Sequence, residues 1–435
     1  MPEVKIHWKS GFIWLAILAP LFFILYGWAN NYASNLPQEK VGEIVYDWEK
    51  HIPFIPWTIL PYWSIDLLYG LSLFLPMTKL AQRQHALRLL VATPIAILFF
   101  YFFPLTFSTP RPESYGIWKT LFDALMGFDK PYNQAPSLHI ILLVIIWQIY
   151  LPHFKKEGKL LWHIWCFLIG ISVLTTFQHH FIDIPAGFLA GVLICYLFPL
   201  EKMHQWKWHD VKSKRLALKY CIGGSLLVIL SFFSSFWPSM ILLWIGLSLL
   251  IIGFGYLKLG AVVFQKNEEG TFTFSAKVLH FPYRIGMRSV RRLFFNTDGK
   301  HQKITDQIYL GAFSMSKKTD CVAIFDLCPE YQRSNKNAKF YQSYPLIDLA
   351  SPTVEELSSG VQKLNKMIED NHKVYIHCAL GLSRSAIVVL AWLLFTEKAK
   401  NPQEAIAYLK NAEYHSHLSK KHQEVLEAYF KTLRQ

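Results

Sequence analysis

The segment HCALGLSRSA, residues 377–386, has the residue types of a phosphate-binding catalytic loop. It lies between a buried strand pattern and an apolar helix pattern, so backbone N–H groups and the positive end of a helix dipole converge on one point. Arg384 offers a planar fork of donors that holds two phosphoryl oxygens better than Lys would. The same field stabilises a thiolate at Cys378, and Gly381 and Ser385 complete the loop. We therefore expect a cysteine nucleophile that attacks a phosphate ester.

A second group of polar residues interrupts the apolar amino-terminal region. It comprises three stretches: STPRPES at 108–114, APSLH at 135–139 and FQHHFIDIPAG at 177–187. All three fall at ends of predicted helices on one side of a predicted helical bundle. Because histidine and aspartate are costly at membrane depth, three such stretches at one level indicate a common site.

Long apolar runs in residues 1–260 would position this second group. The chain has 435 residues, a mean hydropathy of +0.23 and 16% aromatic residues, which is too apolar for an ordinary soluble protein. Most of the runs approach the roughly 20 residues that cross a bilayer. We predict eight transmembrane helices, with seven or nine as alternatives, at residues 12–29, 54–76, 86–107, 136–151, 160–178, 180–199, 217–236 and 238–258.

The loops between the apolar runs differ in their content of Lys and Arg. With eight spans, the loops on the side of both termini carry 14 of these residues and the opposite loops carry 5. The positive-inside rule then predicts a multi-pass protein of the plasma or inner membrane with both termini in the cytoplasm. Because membrane orientation accounts for the basic residues, we expect no nucleic-acid partner.

The carboxyl-terminal part of the sequence has a different pattern. Residues 261–304 form a predicted basic juxtamembrane linker, which is either a solvated connector or a segment drawn to anionic headgroups. The pattern of residues 305–435 predicts a small α/β domain. The predicted strands are QIYLG, CVAIFDL and KVYIHC, and the predicted helices are VEELSSGVQKLNKMIED, SAIVVLAWLLF, PQEAIAYLKNA and KHQEVLEAYFKTL.

The pattern H-C-x5-R-S after a buried strand resembles the cysteine-based protein tyrosine and dual-specificity phosphatases. The resemblance extends through ITDQIYLGAFS and YPLIDLASPTVEEL. It implies a phosphocysteine intermediate, a general acid at Asp348 that protonates the leaving oxygen, and a Ser385 hydroxyl that eases departure of the thiolate. The four variable loop positions between Cys378 and Arg384 carry no charge, whereas relatives that act on polyphosphorylated inositol lipids often place Lys or Arg there. A singly phosphorylated lipid headgroup and a phosphoprotein both remain as substrates.

The three amino-terminal stretches resemble the motifs of the type 2 phosphatidic acid phosphatase superfamily. The similarity is greatest to its inositolphosphotransferase and phosphoceramide-transferase branch. This resemblance implies that His179 is a nucleophile that forms a phosphohistidine, that Asp183 orients it, and that His139 protonates the leaving group. Arg111 and Ser137 would bind phosphoryl oxygens.

Two positions depart from that superfamily. Its phosphatase branch has Lys and Arg where this chain has Pro104 and Val173. A site with fewer cations suits a phosphodiester, which carries one negative charge, better than a monoester, which carries nearly two. We therefore favour headgroup transfer or diester cleavage over monoester hydrolysis at this site.

The sequence thus predicts a polytopic α-helical membrane domain of about eight transmembrane helices, followed by a small cytoplasmic α/β phosphatase domain. We expect a phosphoric ester hydrolase that needs no metal or cofactor. Its substrates would be phospholipids or other lipid phosphates, with phosphoproteins as a further possibility. One alternative is a cytoplasmic protein phosphatase tethered by a non-catalytic membrane anchor. Another is a voltage-sensing bundle, which would require a helix with Arg at every third position, and none of the spans has this pattern.

Overall fold

The computed structural model describes residues 3–201, 211–294, 301–316, 319–335, 337–370 and 373–435. These residues form two compact units, Met1–Lys202 and Met203–Gln435. The division falls between the sixth and the seventh of the predicted apolar runs.

The amino-terminal unit is helical. Each of the six apolar runs predicted before residue 200 contains a helix. The sequence analysis missed one further helix, Ile117–Phe128, because it carries Lys119 and Asp123 and is amphipathic rather than apolar. The helices of this unit are α1 (Trp8–Ser34), α2 (Ile59–Ser72), α3 (Lys79–Phe102), α4 (Ile117–Phe128), α5 (Leu138–Tyr150), α6 (Lys156–Thr175) and α7 (Asp183–Leu197).

The predicted number of eight spans is not confirmed. Within the described ranges, four helical segments are long and apolar enough to cross a membrane: Trp8–Ser34, Lys79–Phe102, Lys156–Thr175 and Trp237–Phe264. Several predicted spans form shorter helices, since α2 has 14 residues, α5 has 13 and α7 has 15. At 1.5 Å per residue such helices are shorter than the hydrocarbon core of a typical bilayer.

The carboxyl-terminal unit begins with a helical hairpin, α8 (Lys214–Ser231) and α9 (Phe236–Phe254). A π-helical turn at Gly255–Leu259 and a 3₁₀ turn at Gly260–Phe264 continue α9. Part of the predicted linker is folded, because it contains α10 (Phe274–Leu279) and α11 (Phe281–Phe294). Residues 295–300 of that predicted linker lie outside the described residues.

A mixed five-stranded sheet follows, as predicted for a small α/β domain. The strands are β1 (Gln302–Lys303), β2 (Ile308–Ala312), β3 (Ala323–Asp326), β4 (Phe340–Ser343) and β5 (Val374–Cys378), in the order β1-β2-β5-β3-β4. Only β1 is antiparallel to its neighbour. The helices are α12 (Val354–Asp370), α13 (Arg384–Phe395), α14 (Pro402–Asn411) and α15 (Lys420–Thr432). The three predicted strands and four predicted helices are confirmed, whereas β1 and β4 were missed.

The central strand β5 and the helix α13 hold the catalytic loop. β5 pairs with parallel strands on both sides and is buried along its whole length, which explains its apolar VYI sequence. Its last residue, Cys378, lies opposite Ala312 of β2. Helix α13 starts at Arg384 and is buried through Leu394. SAIVVLAWLLF is therefore a core helix of this domain, and the five residues before it are fixed at both ends.

Candidate active sites

The loop between β5 and α13 closes tightly around Cys378. The Cys378 side chain is 2% exposed, and the hydroxyl of Ser385 donates to its Sγ atom at 3.3 Å. Gly381 has a φ of +78°, and a Cβ atom there would lie 2.7 Å from the backbone of Gly311. Glycine is therefore required at this position. The Tyr414 hydroxyl donates to the Gly381 carbonyl and ties the loop to the chain after α14.

Arg384 lies between two carboxylates. Its Nη1 and Nη2 atoms donate to Oε2 and Oε1 of Glu330 at 3.0 and 2.7 Å, and Nη2 lies 3.1 Å from Oδ1 of Asp348. Burial alone would lower the pKa of Arg384, but Asp348 and Glu330 outweigh it and raise that pKa well above its usual value. Nε of Arg384 is buried and has no hydrogen-bond partner among the described residues. Arg384 thus stays charged, and Nε is its one nitrogen without a hydrogen-bond partner among the described residues.

A buried polar cluster lies behind the loop, next to His377. Nδ1 of His377 is 3.7 Å from Oδ1 of Asp326 and 3.7 Å from Sγ of Cys328. The ammonium group of Lys266, which is 0% exposed, lies 2.6 Å from Oδ2 of Asp326. Burial alone would raise the pKa of Asp326, but Lys266 and His377 bring it down to about 2. Asp326 is therefore ionised and paired at neutral pH.

The same cluster has the donor atoms of a possible metal site. One ligand atom each from Asp326, Cys328 and His377 lies within 4.8 Å of the others. The Lys266 ammonium group, however, donates to both Asp326 Oδ2 and the Cys328 carbonyl at 2.6 Å. A cation therefore already occupies this side of Asp326, and the cluster is best described as an ion pair in the core.

The sequence analysis missed Glu330 and Tyr414. A signal for Glu330 was present, because it follows the carboxyl end of β3, next to the end of β5 at the same edge of the sheet. Functional groups collect at that edge in parallel sheets. Tyr414 gave no such signal, since it meets Gly381 only through the packing of the segment after α14.

Comparison with known families agrees with this geometry. Residues 308–432 match the family model described as "Dual specificity phosphatase, catalytic domain". Residues 308–432 thus form a domain of the dual-specificity phosphatase type. The match starts at residue 308 and does not include the amino-terminal unit, so the second resemblance stays a prediction.

Two curated relatives and one solved structure illustrate the similarity. Protein-tyrosine-phosphatase MKP1 of Arabidopsis thaliana is 27% identical over 128 residues, which are 26% of this chain and 16% of that protein. The human "Phosphatidylglycerophosphatase and protein-tyrosine phosphatase 1" is 25% identical over 132 residues, which are 30% of this chain and 64% of that protein. This chain thus covers less than two thirds of either relative. The crystal structure of PTPMT1 in complex with PI(5)P aligns with 31% of this chain and 96% of its own, at 24% identity and a TM-score of 0.28.

In the amino-terminal unit, the structure brings the predicted histidine site together. Nδ1 of His179 lies 2.9 Å from Oδ2 of Asp183, and its Nε2 lies 3.1 Å from the Ser137 hydroxyl. His139 stacks on Tyr62 with ring centroids 4.1 Å apart. Both histidines line one cavity of about 70 Å³. The predicted nucleophile, its orienting carboxylate and the predicted acid therefore lie close together.

Arg111 contacts the segment that precedes His179. Its Nε donates to the Thr176 carbonyl at 2.9 Å, and its Nη2 donates to the Phe177 carbonyl at 3.2 Å. Phe177 has a φ of +55°, a conformation that non-glycine residues adopt only when neighbouring contacts hold it. Arg111 therefore braces the backbone beside the predicted nucleophile.

Two further features concern the side chains around this cavity. Asp129, which the sequence analysis missed, is buried beside it and accepts a hydrogen bond from the Tyr26 hydroxyl at 2.7 Å. Asp66 lines the same cavity. Val173, the position at which the sequence resemblance would place an Arg, is fully buried in an apolar cluster. The carboxyl groups of Asp66 and Asp129 thus line the cavity together with apolar and aromatic side chains, and Val173 brings no positive charge to it.

Proposed function

We propose that this chain is a membrane-bound phosphatase. Its carboxyl-terminal domain hydrolyses a phosphomonoester of a lipid headgroup at the cytoplasmic face. In this proposal both termini are cytoplasmic. The observation that carries the chemistry is the placement of Arg384 between Glu330 and Asp348, in the loop that holds Cys378.

The reaction proceeds in two steps. The Cys378 thiolate attacks phosphorus, and the bond to the leaving oxygen breaks as Asp348 gives that oxygen its proton. Arg384 and the loop N–H groups hold the other phosphoryl oxygens throughout. A water then attacks the phosphocysteine and gives its proton to the Asp348 carboxylate. The thiolate leaves with help from the Ser385 hydroxyl, and inorganic phosphate is released.

Three observations favour a lipid substrate. The candidate span Trp237–Phe264 ends two residues before Lys266, whose ammonium group is buried behind the catalytic loop. The catalytic loop is therefore connected through one short segment to the end of an apolar helix. The name of the human relative combines a phosphatidylglycerophosphatase with a protein-tyrosine phosphatase. The uncharged loop positions 379–383 suit a headgroup with a single phosphomonoester.

The test compares substrate classes on purified full-length protein in mixed micelles. We expect kcat/KM for a lipid with one terminal phosphomonoester to exceed that for a phosphotyrosine peptide by at least about tenfold, the result of a 1.4 kcal/mol difference in transition-state stabilisation. Inorganic phosphate release is the readout, and Cys378→Ser gives the background. A peptide preferred over the lipid would instead support a tethered protein phosphatase.

We propose a second activity for the amino-terminal unit, at the outer face. His179 would attack the phosphorus of a phosphodiester lipid through Nε2, while Asp183 holds the proton at Nδ1, and His139 would protonate the departing alkoxide. Water or a second headgroup hydroxyl would then take the phosphoryl group from His179. The contacts of His179 with Asp183 and Ser137 support this proposal.

The charges around the cavity favour a diester as the substrate. Asp66 and Asp129 line it, and two of the guanidinium nitrogens of Arg111 bind backbone carbonyls. A site that offers few free cations suits a monoanionic diester better than a dianionic monoester. The amino-terminal site would therefore act as a headgroup transferase or diesterase rather than on phosphatidic acid.

A further inference from the structure

The loop that carries Asp348 is attached to the end of the last candidate span. The Asp348 carboxylate lies beside Arg384, at 3.1 Å from Nη2. Its backbone carbonyl accepts a hydrogen bond of 3.0 Å from the hydroxyl of Tyr256. Tyr256 lies in the π-helical turn that continues α9, well before the residues 308–432 that match the phosphatase family. This bond therefore joins the proposed acid to a part of the chain outside the family match.

Tyr256 is itself firmly held. Its side chain is buried, and its ring stacks on that of Tyr220 with centroids 5.6 Å apart and planes 2° from parallel. Its own carbonyl accepts hydrogen bonds from the N–H groups of Lys212 and Ser213 at 3.0 and 3.3 Å. A hydroxyl fixed by packing and by backbone contacts is a donor of defined position, as a preorganised site requires.

A second contact from the same region reaches the other end of the loop. The ammonium group of Lys212 lies 2.6 Å from Oε2 of Glu356 in the first turn of α12. The same oxygen accepts a hydrogen bond of 2.8 Å from the N–H of Thr353. The segment from Asp348 to Thr353 is thus anchored at both ends to the region around the helical hairpin.

The backbone between these anchors is strained. Leu349, directly after Asp348, has a φ of +54°, and its side chain is 72% exposed. Non-glycine residues in this conformation persist only where surrounding contacts hold them. The hydrogen bond from Tyr256 to the Asp348 carbonyl lies directly before this residue.

We propose that Tyr256 is a positioning residue for the phosphatase reaction. By donating to the Asp348 carbonyl, it holds the Asp348 carboxyl group where that group can protonate the leaving oxygen. This inference rests on the proposed role of Asp348 as general acid. An apolar helix of spanning length thereby contributes to the acid step, while Cys378 and its loop are held separately by β5 and α13.

The test measures kcat of the full-length protein in detergent micelles with two substrates. Phenyl phosphate has a poor leaving group that needs the acid, and para-nitrophenyl phosphate has a good one that needs it little. We expect Tyr256→Phe, which removes only the hydroxyl, to lower kcat for phenyl phosphate by about three- to tenfold, the effect of one hydrogen bond. The rate with para-nitrophenyl phosphate should change by less than about twofold. The ratio of the two rates does not depend on the fraction of protein that is folded.

Two variants serve as controls. Tyr429→Phe removes a hydroxyl from another buried tyrosine, which lies in the core of the phosphatase domain, and it should keep the wild-type ratio. Asp348→Asn should change the ratio in the same direction as Tyr256→Phe and by more, about 10² to 10⁴. If Asp348→Asn lowers kcat equally for both substrates, the proposed acid role of Asp348 is itself wrong. If Asp348→Asn changes the ratio and Tyr256→Phe does not, the acid role stands and the positioning role of Tyr256 is wrong.

Discussion

The catalytic loop of the phosphatase domain and the histidine cluster of the amino-terminal unit differ in how they use charge. In the loop, Arg384 lies beside Cys378 in a segment fixed between β5 and α13, and the carboxylates of Glu330 and Asp348 hold its guanidinium group. In the histidine cluster, Arg111 donates to backbone carbonyls while Asp66 and Asp129 line the cavity. The loop is suited to a dianion. We infer that the cluster is suited to a phosphoryl group of lower charge.

The difference in charge bears on the mechanism, because both sites would form a covalent phosphoenzyme intermediate. A thiolate needs a cationic, hydrogen-bonding environment to be stable, and the same environment binds a phosphomonoester. A neutral imidazole needs only an acceptor that holds its tautomer, which Asp183 supplies to His179. The choice of nucleophile and the charge of the substrate are therefore linked at each site.

The largest expected effects come from removing one nucleophile at a time. In full-length Cys378→Ser protein, turnover of a phosphodiester lipid should continue, and the added change His179→Ala should lower it by a factor on the order of 10³ or more, since these residues act as a unit. In His179→Ala protein, hydrolysis of para-nitrophenyl phosphate should stay within about twofold of the wild type, whereas Cys378→Ser should abolish it.

Matched substitutions control for general damage. Cys321→Ser changes another buried thiol of the phosphatase domain, and His163→Ala changes a histidine that pairs with Trp147. Both should leave the two activities intact. Phosphatidic acid turned over faster than the diester would contradict the charge argument for the amino-terminal site. A lack of turnover on every lipid would make that unit an anchor and leave Cys378 as the catalytic nucleophile of the chain.

The two sites also differ in how much of them the sequence could reveal. Cys378, Gly381, Arg384 and Ser385 lie in one short loop, so their spacing alone indicated an anion site between a strand and a helix. The structure places Oδ1 of Asp348 3.1 Å from Nη2 of Arg384, and the role of Asp348 as general acid stays a prediction. Glu330 follows a predicted strand, which was a signal for it, but its contact with Arg384 depends on the order of strands in the sheet, which no local pattern encodes.

The helices of the amino-terminal unit were predicted less completely, for a physical reason. Hydropathy identifies apolar helices whether they cross a bilayer or pack within a bundle, so it located α2, α5 and α7 but overstated their lengths. It also missed α4, whose apolar face is interrupted by charged residues. Contacts such as those of Tyr256 with Asp348, and of Lys266 with Asp326, depend on tertiary packing and left no trace in the sequence pattern.

The next prediction concerns the buried ion pair between Lys266 and Asp326, which lies behind the catalytic loop. Lys266→Met should lower the free energy of unfolding of the phosphatase domain by about 3–5 kcal/mol, because it leaves the Asp326 carboxylate buried and unpaired. The measurement is the denaturant midpoint for loss of aryl phosphatase activity in the full-length protein. Lys303→Met, which breaks an exposed ion pair with Asp306, should not move that midpoint.

A compensating change sharpens this prediction. In Lys266→Met/Asp326→Leu protein the unpaired charge is gone, so part of the lost stability should return. An unchanged midpoint in Lys266→Met would mean that water or a rearranged side chain satisfies Asp326, and that the segment before residue 308 does not support the catalytic loop.

The smallest effect is the dependence of stability on pH through Asp326. The pKa of Asp326 is about 2 in the folded protein, below its ordinary value of 3.8, because Lys266 and His377 outweigh the effect of burial. The unfolded chain therefore binds more protons between these two pH values. The contribution of Asp326 to the free energy of unfolding, on the order of 2 kcal/mol, is present above about pH 4 and lost as the pH falls toward 2.

Other carboxylates titrate in the same range, so the readout is the difference between wild type and Asp326→Asn in the slope of the unfolding free energy against pH. The unfolding free energy of Asp326→Asn should start lower at neutral pH and fall less steeply on acidification. Parallel curves for the two proteins would show that Asp326 titrates alike in the folded and unfolded states, and that the buried pair contributes nothing to the acid stability of the phosphatase domain.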